Sequence, residues 1–283
     1  MPVAPRGYRR WEPSGRAARP AWLVIAARGI RFPLRRRGFL QLLLAAWVPA
    51  IVKGGILYFA WQMGNTAQLL GGSWTAVTPA GFLEFLRHQT PFVLVVLALV
   101  GAGAVCDDRR DNGLALYLSR PLGVWTYVAG KAAIILCYYL LITLLPVLAL
   151  SVFGYLVTSG GTGLSLLLEV PARATAYCLV SGVSLALVVL ALSAAGRRRA
   201  LVMIAWGLLI VGSKLLGQIL GALRPGLRII DVMERYLDVG ALLLDGRPTP
   251  AVPAAASLAV VLLLTAGAVL VLRRRVRPVE VVS

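Results

Sequence analysis

The sequence has a single histidine, His88, and three widely spaced cysteines, Cys106, Cys137 and Cys178. That scarcity leaves no histidine pair, no zinc-ligand spacing and no disulfide framework. The last two cysteines lie in apolar runs, and all three read as packing residues. Four methionines, scattered along the chain, form no thioether array for copper. No H-E-x-x-H or G-x-S-x-G pattern is present, so the common metalloprotease and serine-hydrolase signatures are missing. Acidic residues number only 11 against 29 basic ones, and charged residues make up just 14% of the chain. The first 38 residues are arginine-rich and broken by prolines, with no apolar core leading to a small-residue cleavage site, so no cleavable signal peptide is expected.

Hydrophobic residues, by contrast, make up 59% of the 283, and the mean hydropathy is +0.82. A soluble domain of this length does not carry such a composition, and the chain reads as a membrane protein. A helix needs about 20 residues to cross roughly 30 Å of hydrocarbon. Six runs meet that length: residues 39–61, 83–105, 132–157, 170–195, 200–221 and 254–272. They lack the alternation of membrane barrel strands, so an all-α polytopic fold with six transmembrane helices follows. In the second run Glu84, Arg87 and His88 precede the clean apolar stretch and are expected in the outer headgroup zone.

Six spans put both termini on one side of the membrane. Ten arginines precede the first span, and Arg109, Arg110, Arg120 and Lys131 lie between the second and third. Arg197–Arg199 follow the fourth span, and Arg273, Arg274, Arg275 and Arg277 follow the sixth, so one side holds 21 of the 29 basic residues. The bias predicts cytoplasmic termini. Because the net charge of +18 is divided among short loops, it does not form the single basic face of a nucleic-acid binder.

Residues 1–20 read as a disordered basic tail, and residues 273–283 as a cytoplasmic basic tail. Between the first tail and the first span, "PAWLVIAARGIRFPLRRRGF" puts Trp22, Ile25, Ala26 and Gly29 on one helical side and arginines on the others. The expectation is an amphipathic elbow helix in the inner headgroup layer. After the fifth span, Leu227, Ile230, Val232, Met233, Tyr236 and Leu237 predict a short external helix resting on the membrane surface. Pro49 with Gly54 and Gly55, and Pro146, predict loosened or bent first and third spans.

Lys53 and Lys214 fall within spans, where a lysine at mid-depth costs about 2.5–3.5 kcal/mol on insertion scales. Either each snorkels to the outer headgroups, or the pair, with Gln218 one turn from Lys214, lines a cavity for anionic or polar cargo. Glu84 and His88 share a helix face. They form either an interfacial cap or, in the rival reading of an intramembrane enzyme, a pair that binds a metal ion or acts in catalysis.

The one long polar interruption, Cys106–Lys131, reads "CDDRRDNGLALYLSRPLGVWTYVAGK". Asp107, Asp108 and Asp111 are placed to cap a short helix that Pro121 ends, with Leu114, Leu116, Tyr117 and Leu118 available to a partner's groove. This stretch resembles the first cytoplasmic loop of the permease subunits of type-2 ATP-binding-cassette transporters. The likeness is carried by Gly113, Leu114, Leu118, Ser119, Arg120, Pro121, Gly130 and Lys131, and it extends more loosely over residues 21–272, which would form the permease domain.

The resemblance implies a dimer of permeases, identical or paralogous, whose loop residues Asp111, Gly113, Leu114, Tyr117, Leu118, Ser119, Arg120 and Pro121 couple to a separate ATPase subunit. It implies an exporter in the bacterial inner membrane. ATP and magnesium would belong to that partner, with no cofactor, catalytic residue or metal in this chain. In keeping with that expectation, Gly130-Lys131 is no phosphate loop, since the pattern needs Gly at 125 and Ser or Thr at 132 where the sequence has Trp125 and Ala132. An ATP-driven complex that extracts or senses lipids or peptides is the alternative.

Overall fold

The computed structural model describes residues 20–63, 78–111, 123–158, 163–244 and 252–276. Among the described residues the architecture is all-helical, with no strand. The elements are α1 (Ala21–Leu34), α2 (Arg37–Ala45), α3 (Val48–Met63), α4 (Pro79–Gly101), α5 (Cys106–Arg110), α6 (Val124–Ile142), α7 (Leu144–Thr158) and α8 (Gly163–Ala195). They continue with α9 (Arg199–Gly207), α10 (Ser213–Leu223), α11 (Val232–Leu243) and α12 (Ala254–Arg275).

Six helical stretches are long and apolar enough to cross a membrane: Arg37–Gln62, Pro79–Arg110, Val124–Leu156, Leu168–Ala195, Arg199–Leu223 and Ala254–Arg275. Each expected span is present, and the second and third are longer than their apolar runs. Pro79 opens the second span early because Thr78 accepts a hydrogen bond from the Gly81 amide through its hydroxyl, 3.2 Å away, as a helix cap. The third begins at Val124 because its polar first turns are occupied by protein contacts described below. Contacts set the directions. Lys53 meets Gly81 while Ala46 meets Gln89, so the first two spans are antiparallel. Leu94 meets Trp206 and Leu99 meets Arg199, so the second and fifth are antiparallel too.

Two spans are broken where proline predicts it. The first divides at Ala46–Trp47, ahead of Pro49, and the third at Thr143, ahead of Pro146. Proline has no amide hydrogen to give the carbonyl four residues back, which for Pro146 is Ile142. Gln89, fully buried on α4, supplies the missing donor: its Nε2 donates to Ile142 O and to Ala46 O, each at 2.6 Å. One side chain thereby serves a carbonyl at each break. The fifth span carries a π-helical turn, Leu208–Gly212, between α9 and α10.

The expected surface helix between the fifth and sixth spans is α11, but it does not rest on a surface. Val232, Met233 and every residue from Arg235 to Ala241 are buried, and α11 packs against α4, α8, α10 and α12. A 3-10 turn, Pro225–Ile230, folds the chain back beside α10, so that the Val232 amide donates to Ser213 Oγ at 3.3 Å. Burial is possible because the charges neutralise one another. Arg235 Nη1 lies 2.9 Å from Asp238 Oδ2 and donates to Ser257 Oγ at 3.0 Å, while Ser257 donates to Asp238 at 2.7 Å. Tyr236 reaches Ser184 at 2.7 Å, and Ser184 in turn meets Thr265 at 2.5 Å, linking α11 to the fourth and sixth spans. Burial raises the Tyr236 hydroxyl pKa above its ordinary value.

The helix expected before the first span is α1. Its small side, Ala26 and Gly29, docks on α6. A side chain at Gly130 would lie 2.9 Å from Ile25 Cβ and 3.1 Å from the Trp22 carbonyl, and one at Gly29 would overlap Ile134. These contacts advance in step along both chains, so α1 and α6 run side by side in the same direction. Tyr138 fixes the far end by donating its hydroxyl to the Ile30 carbonyl.

Candidate functional site at the base of the polar loop

The second span unwinds at residues 102–105, and the short α5 follows before the loop leaves the described residues at position 112. Unwinding strands backbone donors and acceptors inside the protein, where each needs a partner. Ser193, fully buried in the last turn of α8, provides them. Its Oγ accepts from the Val105 amide at 3.0 Å and the Cys106 amide at 3.1 Å, and donates to Ala102 O at 2.8 Å. No motif in the sequence marks Ser193, because a serine in an apolar helix has no distinguishing neighbour until the fold sets it against another helix.

Two arginines complete this staple by capping helix C-termini, where carbonyls lack partners and the helix dipole is negative. Arg109 Nη1 donates to Ala194 O at 2.6 Å, in the last turn of α8. Arg199 Nη2 donates to Leu99 O at 2.6 Å, in the last turn of α4. Gly101 permits the close crossing, since a side chain there would meet Val189 at 2.6 Å.

Across the loop, Asp108 has partners that the sequence did not show, while the helix it was expected to cap lies outside the described residues. It lies within α5, and its carboxylate accepts from the Tyr127 hydroxyl at 2.7 Å and pairs with Lys131 Nζ at 2.8 Å. The side chains of Lys131 and Asp108 are only 13% and 21% exposed, so water screens the pair weakly. Lys131 also stands over the Tyr127 ring, 5.6 Å from its centroid. The two ends of the polar loop are therefore held together, and the first of them is fastened to the end of α8. Gly130 and Lys131, which sequence reasoning joined to the loop motif, divide the work: one admits α1, the other closes the clamp.

Of the residues expected to couple, Asp111 is exposed and beside Arg110 at 3.2 Å. Gly113, Leu114, Tyr117, Leu118, Ser119, Arg120 and Pro121 lie outside the described residues, as does the helix expected there.

The residues expected in a pathway are placed apart. Lys53 is fully buried and donates to the Gly81 carbonyl at 2.5 Å, with its ammonium 5.3 Å from the Phe82 ring centroid. Lys214 and Gln218 are exposed on α10. Helix α3 packs on α4 and α7, whereas α10 packs on the turns flanking it and on α11, so the lysines occupy different surroundings. Glu84, Arg87 and His88 form a partly exposed cluster that ties α4 to α11: Arg87 lies 3.5 Å from Glu84 and 3.0 Å from Glu234, and His88 Nδ1 lies 2.8 Å from Glu84 O. Among the described residues, no three His, Cys, Asp or Glu side chains are grouped to hold a metal ion. Of the cysteines expected in packing, Cys106 and Cys178 are buried and Cys137 is exposed.

No family model matches the sequence, and no curated protein matches it.

Proposed function

We propose that this multi-pass membrane protein is the permease subunit of a type-2 ATP-binding-cassette transporter, acting as an exporter and as one half of a dimer in a bacterial inner membrane. On this reading both termini are cytoplasmic, α1 is the elbow helix at the inner headgroups, and the loop of residues 106–131 faces the cytoplasm. Residues 113–121 then dock on a separate ATPase subunit, which holds ATP and magnesium.

The supporting observation is the mounting of that loop. A polar segment that served only to join two spans would need no anchoring, yet Asp108, Tyr127 and Lys131 lock its ends together while Ser193 and Arg109 fasten it to α8. A force applied at 113–121 is thereby delivered to the second, third and fourth spans together. Rigid connection of this kind lets a nucleotide-driven closure elsewhere select between two packings of the spans. The proline breaks bridged by Gln89 and the π turn of the fifth span are the places where those packings can differ.

The test is affinity purification of the native complex. An ATP-hydrolysing subunit should co-elute with the chain, and replacing Leu118 and Arg120 together, L118S with R120S, should deplete it while the chain stays inserted in the membrane. Undiminished co-elution in that variant, or nucleotide hydrolysis by the chain alone, would refute the reading.

A further inference from the structure

Six arginines elsewhere among the described residues are engaged by the protein: Arg87, Arg109, Arg110, Arg173, Arg199 and Arg235 each contact a carboxylate or a carbonyl. The five of the α1 region behave otherwise. Arg28, Arg31, Arg35, Arg36 and Arg37 are all exposed, and none belongs to an ion pair among the described residues. The sequence offers them no acidic neighbour, for none occurs between Glu12 and Glu84. The Arg36 guanidinium lies 5.7 Å from the Phe32 ring centroid.

Their placement on the helix is ordered. At 100° per residue Val24, Arg28, Arg31, Phe32 and Arg35 share one face, opposite the Ala26, Gly29 and Ile30 side that docks on α6. That outward face mixes three cations with apolar side chains that are 46% exposed at Val24 and 65% exposed at Phe32. Arg36 and Arg37 extend the charge into the corner where the first span begins. Water suits the arginines but not Phe32, and hydrocarbon suits Phe32 but not the arginines; the phosphate and glycerol layer of a bilayer suits both.

We propose that the outward face of α1, with the corner at Arg35–Arg37, binds the phosphate groups of acidic phospholipids. Guanidinium forks engage phosphate oxygens two at a time, and the interspersed Val24 and Phe32 take the adjoining acyl chain. The inference does not depend on the permease reading, since it uses only a membrane-spanning chain and the docked α1. Retaining acidic lipid here would hold α1 against α6 at a fixed depth.

The experiment places the full-length chain in mixed phosphatidylcholine and phosphatidylglycerol nanodiscs, releases it, and measures by native mass spectrometry which lipids stay bound. The parent chain should retain phosphatidylglycerol in excess of its share. Each basic residue near an anionic surface is worth about fivefold in affinity, so R28Q/R31Q/R35Q should lower the retained ratio by up to roughly a hundredfold. These side chains are exposed, and variants are compared only when they elute as the parent does. The corresponding triple lysine variant should keep most of the preference. An unchanged ratio in the glutamine variant would overturn the proposal, as would an equal loss in R273Q/R274Q/R275Q, which leaves α1 intact. Loss of a co-eluting acidic protein with no change in lipid would overturn it in favour of a protein partner.

Discussion

Replacing Ser193 with alanine should loosen one place in the molecule far more than the rest. The hydroxyl serves three backbone groups, and its loss leaves the Val105 and Cys106 amides and the Ala102 carbonyl without that partner. An orphaned buried group costs about 1–3 kcal/mol, which for three sets a high upper limit. Hydrogen bonds in membrane proteins are individually worth less, averaging about 0.6 kcal/mol, because the opened state finds other partners. Three bonds on that scale give about 2 kcal/mol, or roughly a thirtyfold rise in local opening. Cys106 reports it directly, being 2% exposed and donating one of the two amides concerned. With the exposed Cys137 changed to serine, alkylation of Cys106 in the S193A variant should accelerate by about that factor. S184A provides the contrast, since Ser184 lies on the same helix but bonds Tyr236 and Thr265, away from the break. Equal Cys106 labelling in S193A and the parent, or equal acceleration in S184A, would refute the staple.

Four other outcomes follow from the same geometry. In a double-mutant cycle on Asp108 and Lys131, K131M should cost about 2 kcal/mol in denaturant stability by leaving a poorly solvated carboxylate, and D108N/K131M should cost less than the two single changes combined; strict additivity would show that the pair does not interact. G130L should detach α1, at a cost of about 1–3 kcal/mol from overpacking against Ile25 and the Trp22 carbonyl, and expose it to proteolysis. G55A, with nothing within 4 Å of the added methyl, should be neutral or mildly stabilising in thermal unfolding. D238N should destabilise by about 3–5 kcal/mol by stripping the buried Arg235 of its counter-charge, and R235M/D238L should recover much of the loss.

The accuracy of the span assignments has a simple cause: crossing a bilayer requires length and apolarity, and both are properties of consecutive residues. Where polar residues extended a helix, as at Val124–Lys131, a hydropathy pattern stopped short, because the partner that stabilises those turns, Asp108, lies on another span. The misplacement of α11 has the same origin. The helical spacing of its apolar residues showed a helix but not what covers it, and the pairing of Arg235 with Asp238 and Ser257 that permits burial is set by the fold.

What the sequence by itself determined is therefore the solvent and the count: six apolar helices, their basic connections, and the proline positions at which two of them break. Apolar length and missing amide hydrogens act locally, so they are written in order along the chain. Only the tertiary structure decided how those helices are joined. Lys53 is given a carbonyl while Lys214 is left exposed, one glutamine serves two broken spans, and Ser193 and Asp108 hold the base of the loop. Each of these depends on which polar groups from distant segments meet where water is scarce, and satisfying them is a condition on the whole fold.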